Sequence, residues 1–154
     1  MTGAEALDAA PHTPVHDILG VGFGPSDPAL AIAVREHNEQ VPDTDRLGIV
    51  FVEKQDRFGW HRGMPTDGAT RQVSLNDLAT MRNPGSWYGF PACLHDERRL
   101  SDFINDRSFF PSRAEFHDHL EWAAVDFTDQ VAYGENAESV SPSRSGDELL
   151  FAAP

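Results

Sequence analysis

Ile18-Leu19-Gly20-Val21-Gly22-Phe23-Gly24-Pro25-Ser26-Asp27-Pro28-Ala29-Leu30-Ala31-Ile32-Ala33-Val34 is the stretch whose reading decides the fold. A short apolar run from His16 to Val21 meets glycines at 20, 22 and 24, which punctuate it as a strand running into a tight turn. Apolar residues at helical spacing follow from Ala29 to Val34 and fade into Arg35, Glu36, His37 and Asn38, as a helix with one buried face does. A polar linker, Gln40 to Arg46 with Pro42, leads to Leu47-Gly48-Ile49-Val50-Phe51-Val52, a nearly continuous apolar run that ends at Glu53. A strand covered on both faces of a parallel sheet reads this way. The stretch therefore predicts a β-α-β unit complete by residue 53.

That unit carries the strongest chemical signal in the chain. Gly20-Val21-Gly22-Phe23-Gly24-Pro25 is a Gly-x-Gly-x-x-Pro variant of the dinucleotide fingerprint. Its first glycine permits a tight turn, its second lets backbone approach a pyrophosphate, and the helix behind aims free N–H groups at that anion. Glu53, at the end of the second strand, stands where an acid accepts hydrogen bonds from a ribose. Without a ligand the same pattern is a tight strand-to-helix turn. Two residues work against an anion here. Asp27 puts a carboxylate in the first helical turn, and Pro28 removes an N–H donor and is expected to delay the helix start.

Beyond Glu53 the periodicity weakens. Short helices are expected at Leu75 to Met81 and at Arg99 to Asn105. Ser112-x-x-Glu115 is a capping-box pattern heading a longer helix whose Phe116, Leu120, Ala123, Ala124 and Phe127 share a face. Gln130 to Tyr133 and Glu138 to Val140 read as strand fragments, Ser141 to Asp147 as a polar turn, and Glu148 to Phe151 as the start of one more strand.

The whole-chain arithmetic narrows the function. Twelve basic and 25 acidic residues among 154 give a net charge of −13, spread along the chain, and the hydrophobic fraction is 40%. Nucleic-acid binding relies on clustered Lys and Arg, and an anionic membrane surface needs the same, so neither partner is expected. The single cysteine, Cys93, can make no internal disulfide and belongs to no zinc spacing; in its Pro- and aromatic-rich loop it reads as a small packed residue. His117-x-His119 falls on the capped helix, where residues two apart point in different directions and do not share a metal. No secretory or membrane-spanning segment is evident, so a cytoplasmic protein with a disordered segment over residues 1–15 is expected.

A family resemblance rests on several ordered blocks. Besides Gly20 to Ala33, these are Phe51-Val52-Glu53-Lys54-Gln55, Trp60-His61-Arg62-Gly63-Met64, Gln72-Val73-Ser74, Asp77-Leu78-Ala79-Thr80, Arg82-Asn83-Pro84, Asp102-Phe103-Ile104-Asn105 and Phe110-Pro111-Ser112-Arg113-x-Glu115-Phe116. The chain resembles the opening part of the flavin-dependent N-hydroxylating monooxygenases, the L-ornithine and L-lysine N-hydroxylases of siderophore biosynthesis. The resemblance implies an enzyme in which NADPH reduces FAD and oxygen is transferred to the terminal amine of an amino-acid substrate. By matching position it places Gly20, Gly22, Gly24 and Pro25 on the FAD pyrophosphate and Glu53 on the ribose. It also places Trp60, His61 and Gln72 against the flavin or its edge. Read by themselves, Trp60 is a large apolar anchor, His61 a loop hydrogen-bonder and Gln72 a loop amide.

The departures are specific. Gln72-Val73-Ser74-Leu75-Asn76-Asp77-Leu78 is one residue shorter than the family pattern, with Asn76 in place of the lysine that helps hold the amino-acid substrate. An Asn cannot supply the charge that pairs with a carboxylate. The family helix opens with Ser-Asn and an apolar residue where this chain has Ser26-Asp27-Pro28. The NADPH-binding part has no counterpart. The reading is thus an α/β chain, a Rossmann-like FAD-binding half-domain cut short. Residues 16–140 form the partial FAD-binding domain and 141–154 a polar tail or truncated hairpin. Activity is not expected from these 154 residues alone. The alternative is a non-catalytic nucleotide-binding or interaction module, with self-association through an exposed sheet edge.

Overall fold

The computed structural model describes residues 14–59, 77–106, 110–145 and 148–152. Strand β1 (Ile18–Val21) leads into helix α1 (Asp27–Asn38) and returns as β2 (Ile49–Glu53). β1 and β2 are parallel, with Ile18 opposite Ile49 and Gly20 opposite Phe51, so the expected β-α-β unit is present. Helix α1 starts at Asp27, two residues before the apolar spacing begins. Pro28 lies in its first turn, where a missing N–H breaks no helical bond, so it does not delay the helix.

The long segment after β2 supplies three helices and then a third parallel strand. Cys93 lies not in a Pro- and aromatic-rich loop but in helix α2 (Phe90–Asp96), because Pro91 sits in the first helical turn, where a proline breaks no helical bond. Helix α3 (Leu100–Asn105) matches expectation. Helix α4 (Arg113–Val125) begins with the full capping box: the Glu115 N–H donates to Ser112 Oγ, and Glu115 accepts from the Ser112 N–H at 2.9 Å. Its Phe116, Leu120, Ala123 and Ala124 are buried, as their spacing predicts, and Phe127 just beyond it is fully buried too. Strand β3 (Val131–Tyr133) pairs parallel to β2, giving the order β1-β2-β3 with β2 central.

Two expectations are corrected. Residues 77–81 form bends and turns rather than a helix, because the Asp77 carboxylate takes the N–H groups of Ala79 and Thr80. The polar stretch Ser141–Ser145 is strand β4, antiparallel to β5 (Glu148–Ala152) in a separate two-stranded sheet, and residues 138–140 are not strand. Partner pairing overrides the low strand propensity of Ser-Pro-Ser-Arg-Ser.

The core lies between the parallel sheet and helices α1 and α4 and is strongly aromatic. Arg35 of α1 ties these layers together: its guanidinium donates to the Tyr88 hydroxyl and the Asp126 carbonyl and lies 4.0 Å over the Phe127 ring. Among the described residues no helix is long and apolar enough to cross a membrane.

Candidate cofactor site

The carboxyl ends of β1 and β2 converge on the glycine turn, which is where open parallel sheets bind ligands. Gly20 is still within β1, and the motif's tight-turn role is not its own. A Cβ there would overlap Cδ1 of Phe51 and lie 2.7 Å from Cε1, so this glycine exists to let β1 pack over a fully buried ring. Gly22 makes the turn. Its φ of +99° is disfavoured for any residue with a side chain, and no described residue lies within 4 Å of where a Cβ would sit. Phe23, an unassigned x of the motif, is fully buried, with its ring edge-to-face on Phe51 at 4.8 Å and on Phe58 at 5.9 Å. That anchor fixes the turn to the core.

Glu53 completes the arrangement. Its Oε2 accepts from the Phe23 N–H at 2.7 Å and its Oε1 from the Gln55 N–H at 2.8 Å, so one carboxylate bridges the ends of both strands. The residue is only 5% exposed. Burial opposes its charge, yet the backbone donors of Gln55 and Phe23, with Lys54 beside it, outweigh that penalty and hold its carboxyl below the usual value. The Gln55 side chain also donates to it, and the two oxygens together still hold a lone pair that can accept from a ribose hydroxyl.

A cleft of about 270 Å³ opens between Val21, Gly22, Glu53 and Lys54 on one side and Glu135 to Ala137, just after β3, on the other. A larger cleft of about 600 Å³ opens at the opposite end of the sheet, beside His16, Asn38, Leu47 and Gly48. The smaller one is the candidate, because it lies at the carboxyl ends of the strands and holds the buried acid and the open glycine. These features suit the ribose and pyrophosphate of a dinucleotide: the space above Gly22 admits close approach, and Glu53 is an ionised, oriented acceptor.

One contact opposes that fit. The Gly24 N–H, which the motif offers to a pyrophosphate, donates at 2.7 Å to Oδ2 of Asp27. Ser26 makes no side-chain cap, and Asp27, in the first turn of α1, reaches back to the loop N–H rather than to the helix's own donors. Burial, and then the negative charge of Glu53, raise the Asp27 carboxyl above its usual value, although the Gly24 N–H pulls the other way. Sequence reading marked Asp27 as a repulsive charge but gave no sign of this direct bond. It also missed Phe23, whose position in the motif is unrestricted.

Pro25 lies half-buried in the turn before α1. Trp60, His61, Gln72 and Asn76 lie outside the described residues. Next to them, Asp77 is a structural hub: its two oxygens accept from the N–H groups of Ala79, Thr80 and Phe90 and from the Thr80 hydroxyl, at 2.6–3.1 Å. The Phe90 bond caps α2, which Gly89 cannot do. The pattern Asp77-x-x-Thr80 was a readable signal for such a local cap.

The other candidates resolve into packing. Cys93 is buried, and burial followed by the charge of Glu97 pushes its thiol up to about 12, which leaves it inert. His117 stacks on Phe58, whereas His119 is fully buried with its Nε2 2.9 Å from the Tyr88 carbonyl.

Comparison with known proteins bears on the family and the fold. The family model for L-lysine 6-monooxygenase/L-ornithine 5-monooxygenase matches residues 14–153. The L-ornithine N(5)-monooxygenase of Burkholderia cepacia is 46% identical over 131 residues, spanning 84% of this chain and 29% of that protein. The Pseudomonas aeruginosa L-ornithine N(5)-monooxygenase is 42% identical over 136 residues, spanning 88% of this chain and 30% of that one. Among solved structures, the P. aeruginosa ornithine hydroxylase superposes with a TM-score of 0.77 at 38% identity, over 90% of this chain and 37% of its own. The ornithine N-hydroxylase of Kutzneria sp. 744, with reduced FAD, NADP+ and L-ornithine, gives 0.75 at 37% identity, over 91% and 35%. The chain spans less than a third of the length of these curated relatives. It belongs to the L-lysine 6-monooxygenase/L-ornithine 5-monooxygenase family, of which it carries an N-terminal α/β portion.

Proposed function

We propose that this chain is the FAD-binding opening segment of an NADPH-dependent monooxygenase of siderophore biosynthesis that hydroxylates the side-chain amine of L-ornithine or L-lysine. The observation that carries the reading is the Glu53 carboxylate, buried, ionised and locked between Phe23 and Gln55 beside the open Gly22 turn. When bound, FAD supplies the redox chemistry that activates oxygen. The chain's own residues bind and orient: Glu53 takes the ribose hydroxyls, Gly22 and Pro25 shape the approach of the pyrophosphate, and Phe23 holds the turn rigid against the core. Trp60, His61 and Gln72 would flank the flavin, and Asn76 stands at the substrate position. The relatives above 40% identity are ornithine enzymes, so ornithine is the first substrate to test.

These 154 residues alone are proposed to bind cofactor without turning over, because hydride delivery needs NADPH held against the flavin and the chain spans less than a third of these relatives' length. Purified chain should acquire a flavin absorbance spectrum when FAD is added and should not consume NADPH in response to ornithine or lysine. A chain that stays colourless at saturating FAD overturns the cofactor assignment; ornithine-dependent NADPH oxidation overturns the inactivity. A second reading, a non-catalytic interaction module, is favoured by one observation: among the described residues β1 is an edge strand, with Leu19 and Val21 36% and 60% exposed. Sedimentation showing self-association that FAD does not alter would support it.

A further inference from the structure

We infer that the dinucleotide turn is closed by its own acid, so that cofactor capture is an exchange in which a pyrophosphate displaces the Asp27 carboxylate from the Gly24 N–H and a proton is taken up. The inference rests on the FAD-site reading above and concerns how that site is regulated.

The geometry is an accounting of N–H groups. Within the turn, Gly22 donates to the Val52 carbonyl at 2.8 Å, Phe23 to Glu53, and Asp27 to the Gly24 carbonyl at 3.2 Å; Pro25 and Pro28 have no N–H to give, and the Ser26 N–H stands ready beside Gly24 for the same anion. Gly24 is the motif's remaining glycine donor, and it points at Asp27 Oδ2. An anion-binding N–H is thus already satisfied by an anion, a carboxylate oxygen standing where a phosphate oxygen would bind. The two groups cannot share that donor, and their charges repel at close range.

Protonation is the path that removes the conflict. Among the described residues, the charged group acting on Asp27 from the neighbouring element is Glu53 at the end of β2, also negative and held ionised chiefly by its two backbone donors. Asp27 is therefore the member of the pair that accepts a proton, and its carboxyl already lies above the ordinary value in the free chain. An incoming pyrophosphate adds negative charge beside it and raises it further, so binding and proton uptake are linked.

The test is FAD affinity of the purified chain, read by quenching of flavin fluorescence from about pH 5 to about pH 8, for the natural sequence, Asp27→Asn and Asp27→Ala. Asn keeps an acceptor for the Gly24 N–H without the charge, and Ala frees the donor. The natural chain should lose affinity as pH rises, by up to about tenfold per pH unit at the steepest. Both variants should bind at least about tenfold tighter at pH 7.5, with the pH slope abolished. Calorimetry in buffers of different ionisation heats should count net proton uptake for the natural chain and none for the variants. Variants within twofold of the natural chain, or sharing its pH slope, overturn the exchange while leaving the FAD site standing. If no form binds FAD at any pH, the cofactor reading falls with it.

Discussion

The glycine turn and the segment from Asp77 to Phe90 use one device for opposite ends. In each, a carboxylate collects backbone N–H groups that no helix or strand would satisfy: Glu53 those of Phe23 and Gln55, Asp77 those of Ala79, Thr80 and Phe90. Around Glu53 the described surroundings stay open, with no described residue over Gly22 and a cleft to one side. Around Asp77 they are filled: the capped helix places Phe90 edge-to-face against Phe103 and His119, each at 5.5 Å. An acid that collects backbone donors marks a ligand site only where space has been left beside it; otherwise it is a nail.

The comparison breaks most visibly at Gly20. Gly20→Ala drives a methyl group into the Phe51 ring, which is fully buried and has nowhere to go. A loss of about 3 kcal/mol or more is expected in urea unfolding. Pairing it with Phe51→Leu should recover a large part of that loss, since the two changes share one contact. Additive losses would show that the contact is not the cause. Next in size, Asp77→Ala removes four acceptor contacts and the cap of α2, for an expected cost of about 2–3 kcal/mol. FAD affinity of the folded fraction should be unchanged, whereas Glu53→Ala should lower stability and FAD affinity together. Equal effects of the two variants on FAD binding would erase the distinction between cleft and packing.

How much of this was legible follows from the distances along the chain over which each feature is made. The β1-α1-β2 unit and Glu53 were readable because apolar periodicity, glycines and the acid ending an apolar run are all local. The capping box of α4 was readable for the same reason, its partners being three residues apart. Of Asp77, only the local bonds to Ala79 and Thr80 were readable; its cap on α2 was not, because Phe90 lies 13 residues on. Phe23 occupies a position the motif leaves free, and its burial is decided by Phe51 and Phe58 from other segments. Strand β4 is polar and becomes a strand through pairing with β5. At the candidate site, the acid was legible and its donors were not.

Acid should separate the two regions further. His119 donates Nε2–H to the Tyr88 carbonyl and sits fully buried, and burial lowers its basicity; the Tyr88 carbonyl and the charges of Asp77 and Glu97 only partly offset this. Its unfolded value is near 6.5. Below that, the unfolded chain binds a proton that the folded chain refuses, so stability present above it is lost as pH falls, by at most about 1.4 kcal/mol per pH unit. Glu53 adds to the loss only at lower pH, below its unfolded value of 4.5. Thermal melts from pH 8 to pH 5 should show the decline, and His119→Gln, which keeps a donor but does not titrate, should flatten it. An unchanged slope in that variant would assign the acid sensitivity elsewhere.

The smallest effect expected lies at the far end of the helix that Asp77 caps. Arg98 has a φ of +60°, and the following Arg99 N–H donates back to the Leu94 carbonyl at 2.8 Å, the bonding of a left-handed helix stop. Glycine is the residue suited to that position, because a side chain there costs about 1 kcal/mol in backbone strain. Arg98→Gly should therefore stabilise the chain by up to about 1 kcal/mol, raising the urea midpoint without changing its slope. The flexibility glycine adds to the unfolded chain subtracts from the gain, which sets its upper limit. Because α2 is braced through Asp77 and not through the cofactor turn, FAD affinity should stay constant while stability rises. A change in affinity would mean that the helical layer and the glycine turn are coupled.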